Sequence, residues 1–149
     1  MEKCYYKSPI GILEIICEND ALISLKPVQK AEKAGLETIL VRKIKTQLDE
    51  YFSTGRKVFD IKINPKGTDF QKSVWNELLK IPFGDTKSYS QIAIALKNEN
   101  AQRAIGSACN KNPIIIIIPC HRVISKNGKL SGYAYGVDIK TKLLNIEKK

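Results

Sequence analysis

A single histidine, His121, stands in a chain of 149 residues, and that scarcity excludes a good deal. A Cys2His2 zinc site would need two. The four cysteines, Cys4, Cys17, Cys109 and Cys120, have no Cys-x-x-Cys spacing, so no metal and no cofactor is expected. No stretch is long and apolar enough to cross a membrane. The first twenty residues contain Glu2, Lys3, Lys7 and Glu14 and therefore lack the apolar core of a leader. These absences predict a soluble, cytoplasmic protein with reduced thiols. The hydrophobic fraction of 43% is ordinary, which argues against wholesale disorder. Acidic residues are scarce in one half only. Residues 1–64 carry 11 Lys and Arg against 9 Asp and Glu, whereas residues 65–149 carry 14 against 6. A Lys-rich solvated face would account for the excess. Its concentration in one half favours a polyanionic partner, nucleic acid first.

What the chain does have is the run from Asn112 and Pro113 through five consecutive isoleucines, Ile114 to Ile118, to Pro119-Cys120-His121-Arg122-Val123-Ile124. Five isoleucines in a row belong inside a core, and a run this short bounded by prolines reads as a buried extended segment. It delivers Cys120 and the only imidazole to the point where the core stops. A free cysteine is commonly buried and inert; a thiol beside an imidazole is also how a reactive one is built. On an extended segment neighbouring side chains point to opposite sides, so Cys120 and His121 are not expected to touch directly. An ordinary thiol, with a pKa of about 8.5, is only slightly ionised at neutral pH. A working nucleophile would therefore need that value depressed by roughly two units.

Taken in order, residues 4–7, 12–17 and 21–25 read as a three-stranded antiparallel meander, with Ser8-Pro9-Ile10-Gly11 and Glu18-Asn19-Asp20 as turns. Leu36, Ile39, Leu40, Ile44, Leu48, Tyr51 and Phe52 fall on one helical stripe over residues 36–53, and Gly55 supplies the stop. Phe59, Ile61 and Ile63 alternate as a last extended piece. Asn64-Pro65-Lys66-Gly67 is the expected boundary between a scaffold domain, 1–64, and a second domain, 65–149. In the latter, Thr68 caps a helix over 69–79 whose inner face is Phe70, Val74 and Leu78 with Trp75. Ser88 or Thr86 caps another over 89–96. The polar turn Lys97-Asn98-Glu99-Asn100 leads into a third over 101–110. Two short helices joined in this way suggest helix-turn-helix. The third is unusually poor in bulk at Ala101, Ala104, Gly106, Ser107 and Ala108, which suits close approach to the core or to a sugar-phosphate backbone. Arg103 stands on its exposed face with Ser107 and Asn110, and Cys109 reads as core. The expected class is α+β: a small antiparallel sheet with a helix, then a mainly helical domain.

Pro119-Cys120-His121-Arg122-Val123-Ile124, with Asn112-Pro113 before it, resembles the signature of the O6-alkylguanine-DNA alkyltransferases, the methylated-DNA–protein-cysteine methyltransferases. The resemblance runs through the second half in order and spacing. It takes in Phe70-Gln71, Val74-Trp75, Ile81-Pro82-Phe83-Gly84, Ser88-Tyr89, Arg103-Ala104-Ile105-Gly106, Gly132-Tyr133-Ala134, Lys140, Leu143-Leu144 and Glu147.

The resemblance implies a monomer that binds double-stranded DNA, flips out an O6-alkylguanine and takes its alkyl group irreversibly, with O4-alkylthymine as a further substrate. Cys120 would be the acceptor, His121 the base acting through a water, Glu147 the carboxylate orienting His121, and Asn112 the support of the turn. Tyr89, Val123, Ala134 and Tyr135 would line the base pocket, Tyr89 also donating to the guanine. Gln71, Ala101, Gln102, Arg103 and Ser107 would meet DNA, Arg103 filling the gap in the stack. Many relatives carry Gly-Gly where Tyr135-Gly136 stands, so a ring here is expected to slow bulky adducts. Two other classes stay open. A lesion sensor without transfer would lack the cysteine, which is present. A cysteine hydrolase would need an oxyanion-hole signature, and none stands out.

Overall fold

In the computed structural model, residues 1–128 and 133–148 are described. The chain divides into two compact units, Met1–Lys66 and Gly67–Lys149.

The first unit is built on a three-stranded antiparallel sheet, β1 (Glu2–Ser8), β2 (Gly11–Glu18) and β3 (Ala21–Val28), in the order β1-β2-β3. Both turns follow from their residues. Ser8 pairs with Gly11 across the first, where the Ser8 hydroxyl donates to the Gly11 carbonyl at 2.7 Å. In the second, Asn19 and Asp20 both take positive φ, 51° and 64°, as a two-residue hairpin of matching twist demands. Leu13, Ile15 and Cys17 alternate onto the buried face, joined by Cys4, Leu22 and Leu25. Pro27 sits in β3, at the edge of the sheet, where a missing N–H costs no ladder bond.

Helix α1 (Ile39–Thr54) is capped by Thr38, whose side chain accepts from Val41 N, and ends on Gly55 in the left-handed region, φ 74°. Its buried face is Val41, Ile44, Gln47, Leu48 and Tyr51. The expected stripe is thus corrected at its start, because Leu36 and Ile39 are 77% and 82% exposed. A glutamine replaces them inside for a reason: Gln47 accepts from Asp60 N at 2.9 Å and donates to Asp60 O at 3.4 Å. It thereby ties down the half-buried, alternating Phe59, Ile61 and Ile63, which reach the edge of β3 through a bridge from Leu22 to Ile63.

The second unit holds α2 (Asp69–Leu78), β4 (Lys87–Ser88), α3 (Tyr89–Ala95), α4 (Gln102–Asn110), a one-turn 3-10 helix (Cys120–Arg122), β5 (Val123–Ile124) and α5 (Val137–Glu147). Capping boxes start α2 at Thr68 with Gln71, and α3 at Ser88 with Gln91. Val74, Trp75 and Leu78 turn inward, whereas Phe70, expected on that face, is 36% exposed. The Trp75 indole donates to Ala108 O at 2.9 Å and pins α2 to α4. Gly67 is required beneath that ring, since a Cβ there would stand 2.5 Å from it. Lys97, at φ 58°, turns the chain between α3 and α4, the two helices of the helix-turn-helix. β4 and β5 pair in parallel, Lys87 with Val123 and Ser88 with Ile124, so the start of α3 lies beside the segment leaving Cys120.

Candidate active site

The isoleucine run is not extended. Residues 115–117 form a turn in which Ile117 N bonds Ile115 O at 2.8 Å and Ile118 N bonds Ile114 O at 3.1 Å. Ile116 takes φ 73°. A β-branched residue there costs on the order of 1–2 kcal/mol, tolerated only where the surroundings over-determine it. Two things do so here. Ile114, Ile115, Ile116 and Ile118 are all buried. Asn112 clamps both ends of the turn, its Oδ1 accepting from Ile114 N at 2.9 Å and its Nδ2 donating to Ile118 O at 2.8 Å. The same Nδ2 donates to the Cys120 sulfur at 3.1 Å. One buried amide thus fixes the turn and touches the thiol it delivers.

Cys120 opens the 3-10 turn and is 4% exposed. Burial pushes its thiol above the ordinary value, against the pull of hydrogen bonds from Asn112 and Tyr133 and of the Lys140 charge. The expected depressed thiol is therefore corrected: apolar surroundings outweigh the donors, and the resting group is protonated.

His121 is wholly buried. Its Nε2 meets Glu147 Oε2 at 2.6 Å, and Nδ1 has no protein partner among the described residues. Burial lowers its pKa, as do the charges of Arg122 and Lys140, and together these outweigh the opposing pull of Glu147. A neutral ring that donates from Nε2 has Nδ1 as its basic atom. The imidazole does not bond the sulfur, and the 3-10 turn, rather than alternation along a strand, separates the two side chains.

Glu147, at the end of α5, is held from two sides. Arg122 grips it edge-on, Nε to Oε1 at 2.7 Å and Nη2 to Oε2 at 3.0 Å. Arg122 Nη1 donates to Ile81 O at 2.6 Å, and its guanidinium lies 6.0 Å from the Phe83 ring centre. On α5, Lys140, Leu143 and Glu147 form the inner face, and Lys140 Nζ donates to Val123 O at 2.7 Å. Burial lowers the Lys140 pKa, opposed by the Cys120 and Cys109 thiols. Arg122 and Lys140 were not among the expected site residues. The available signal was a lysine falling on the apolar stripe of a helix, and an arginine inside the cysteine motif itself.

The other expected residues are distributed as follows. Tyr89, half-buried at the start of α3, lies against Gly106 of α4, with its Cε1 3.9 Å from where a Cβ would stand. Burial, with the neighbouring Cys109 and Cys120, pushes its hydroxyl up to about 12, so it stays a donor. Tyr135 is half-buried and meets Tyr133 edge-to-face at 6.0 Å. Burial and the nearby Cys120 raise it as well. Val123 is buried in β5 and Ala134 exposed. Gly132 lies outside the described residues. Gln102, Arg103 and Ser107 are exposed on α4, while Ala101 is buried as its cap. Gln71 is elsewhere, its Oε1 accepting from Thr68 N at 2.9 Å in the α2 capping box. Cys109 is buried on the inner face of α4.

A helix-turn-helix beside a buried thiol, backed by an imidazole–carboxylate–guanidinium chain, is the equipment of a DNA-binding protein with a cysteine nucleophile. Two family models match the chain: the DNA-binding domain of 6-O-methylguanine DNA methyltransferase over residues 69–149, and the ribonuclease-like domain of the same proteins over residues 1–65. The methylated-DNA–protein-cysteine methyltransferase of Methanosarcina mazei is 55% identical over 95% of this chain and 93% of its own. That of Methanosarcina acetivorans is 45% identical over 95% of each. The solved O6-methylguanine methyltransferase of Mycobacterium tuberculosis superimposes with a TM-score of 0.89 at 37% identity, over 98% of this chain and 92% of that one. OGT of the same organism, solved in complex with DNA, gives 0.88 at 39% identity over 97% and 91%. The chain belongs to the O6-methylguanine DNA methyltransferase family.

Proposed function

We propose that Cys120 is the residue on which this chain ends its one reaction. The protein carries out direct-reversal DNA repair: it transfers an alkyl group from O6-alkylguanine in DNA to a cysteine, once per molecule. The observation that carries the assignment is the buried relay behind Cys120, in which Glu147 meets His121 Nε2 at 2.6 Å and Nδ1 has no protein partner among the described residues.

In the proposed reaction the thiol proton passes through a water to His121 Nδ1 as the sulfur attacks the alkyl carbon. The carbon–O6 bond breaks and its electron pair stays with the base, which takes a proton from Tyr89. His121 returns the proton to Tyr89. The net change is thiol plus O6-alkylguanine to thioether plus guanine. A thiol that ionises only during attack has little thiolate to lose to other electrophiles. Asn112, donating to the sulfur at 3.1 Å, favours the developing anion. Tyr89, Val123, Ala134 and Tyr135 line the pocket for the flipped base. Extruding a base costs a few kcal/mol, and less for a poorly paired one, which supplies part of the selectivity. Gln102, Arg103 and Ser107 on α4 meet the DNA, Arg103 filling the vacated stack; the engaged Oε1 of Gln71 makes its part a minor one.

We assign this work to a second domain beginning at about residue 65 and a scaffold role to the first. The protein acts in the cytoplasm as a monomer, with O4-alkylthymine as a secondary substrate. No helix among the described residues is long and apolar enough to cross a membrane.

Counting lesions repaired tests the reading. With excess O6-methylguanine duplex, repair should stop at one base per protein and vanish in Cys120→Ser. Repair of many bases by one molecule would mean hydrolysis. An intact lesion under tight DNA binding would mean a sensor.

A further inference from the structure

We infer that Arg122 is a positioning residue of the transfer reaction: its guanidinium fixes both Glu147 oxygens so that Oε2 meets His121 Nε2 and the ring offers Nδ1 as its acceptor. The inference rests on the reading of His121 as the base.

A carboxylate on a helix end has free rotation about its terminal bonds, and a lone imidazole, holding one oxygen, would leave the plane of the group undetermined. Arg122 removes that freedom. Its Nε and Nη2 take Oε1 and Oε2 at 2.7 and 3.0 Å, an edge-on fork that only a planar guanidinium can make. The fork is anchored in turn, since Nη1 donates to Ile81 O at 2.6 Å and the Phe83 ring lies at 6.0 Å. Gly84 N approaches Glu147 Oε1 at 3.5 Å from the same side. The backbone after α2 therefore holds the arginine, the arginine holds the carboxylate, and the carboxylate holds the histidine.

The charge of Arg122 has a second consequence. Among the described residues, the charged groups acting on His121 are Glu147 and Lys140 from α5 and Arg122 from its own turn; Ile81, after α2, presents a carbonyl to Arg122. Arg122 opposes the pull of Glu147 and helps keep the imidazole neutral. A His121 paired with Glu147 alone would hold a proton to higher pH and would be occupied when the thiol needs a base.

A purely structural buried ion pair would lower stability when broken but would leave the transfer rate of the folded protein, and its dependence on pH, where they were. The two roles separate by experiment because His121 is the only histidine in the chain, so its ring gives one NMR signal set. The measurements are the imidazole 15N and 13C shifts against pH, and the single-turnover rate on O6-methylguanine duplex against pH, for wild type, Arg122→Met and Arg122→Lys. In wild type the ring should be neutral with its proton on Nε2 at pH 7. In Arg122→Met the titration should move to higher pH. The transfer rate should fall about tenfold or more at pH 7 and recover only in part as pH rises past the new titration, because the fork stays lost. Arg122→Lys should keep the titration near wild type yet recover only part of the rate, because it retains the charge and loses the fork. If Arg122→Met does not fold, Arg122→Lys alone decides: a full wild-type rate in it overturns the inference. So does a folded Arg122→Met whose titration and pH–rate profile match wild type. Failure of the wild-type protein to transfer methyl at all would instead refute the underlying reading, and the NMR titration would still report on Arg122.

Discussion

Asn112 makes three contacts with one amide, to Ile114 N, to Ile118 O and to the Cys120 sulfur. Asn112→Ala should cost about 2–4 kcal/mol in urea unfolding, since it strands buried backbone groups. It should also slow transfer in the fraction that remains folded. Wild-type stability in that variant would mean that the clamp is idle. Gly106 offers a contrast. A Cβ there would meet Tyr89 at an ordinary 3.9 Å, so Gly106→Ala should stabilise the chain by about 0.5–1 kcal/mol in the same assay. At this scale the sequence was readable wherever a residue type carries its own chemistry. Cys120 and His121 stand out in the motif itself, Asn112 and Glu147 follow from the family resemblance, and Asn112 touches the Cys120 sulfur as Glu147 touches His121. Arg122 and Lys140 were not singled out, because burial of a charge is decided by what packs around it, and a lysine in sequence looks solvated until its helix is docked. The raised Cys120 pKa was missed for the same reason: desolvation belongs to the surroundings of the thiol and not to its neighbours in the chain.

Elements were legible where periodicity or a cap residue existed. Thr68 and Ser88 cap as their hydroxyls predict, and the Asn19-Asp20 hairpin turns as its residues demand. Thr68→Ala should cost about 1 kcal/mol, read as a lower denaturation midpoint with an unchanged slope. Five identical isoleucines, by contrast, carry no period at all. Burial was certain, while the choice between strand and turn was made by Asn112, outside the run. In α1 the expected Ile44, Leu48 and Tyr51 are buried, while the register slipped at its start, because the buried Gln47 looks polar until its bonds to Asp60 are seen. The loop bearing Tyr133 and Tyr135 makes its own prediction. Its edge-stacked rings lie close to the thiol, so free O6-benzylguanine should inactivate the wild type slowly and Tyr135→Gly faster. Rapid inactivation of wild type at micromolar concentration would contradict this.

For the whole molecule, the buried titratable groups fix a stability window. His121 has its folded pKa below the ordinary 6.5, so its contribution is present above pH 6.5 and is lost as pH falls. Burial raises Cys17 from 9.0 to about 11 and Cys109 to about 12, so their contributions are present below pH 9 and are lost as pH rises through those values. The melting temperature should therefore be highest between about pH 6.5 and 9 and decline on both sides. A maximum at pH 5 would contradict the neutral buried imidazole. The net charge of +10, weighted to the half with the helix-turn-helix, should make binding to undamaged duplex weaken steeply with salt.

In the proposed reaction one buried thiol takes the alkyl group and keeps it. Mass spectrometry of the protein digested after incubation with O6-methylguanine duplex addresses this most directly. A gain of one CH2 is expected on the peptide containing Cys120, complete at one equivalent of DNA, with Cys4, Cys17 and Cys109 unmodified. An unmodified Cys120 peptide beside repaired DNA, or the CH2 found on another cysteine, would contradict it.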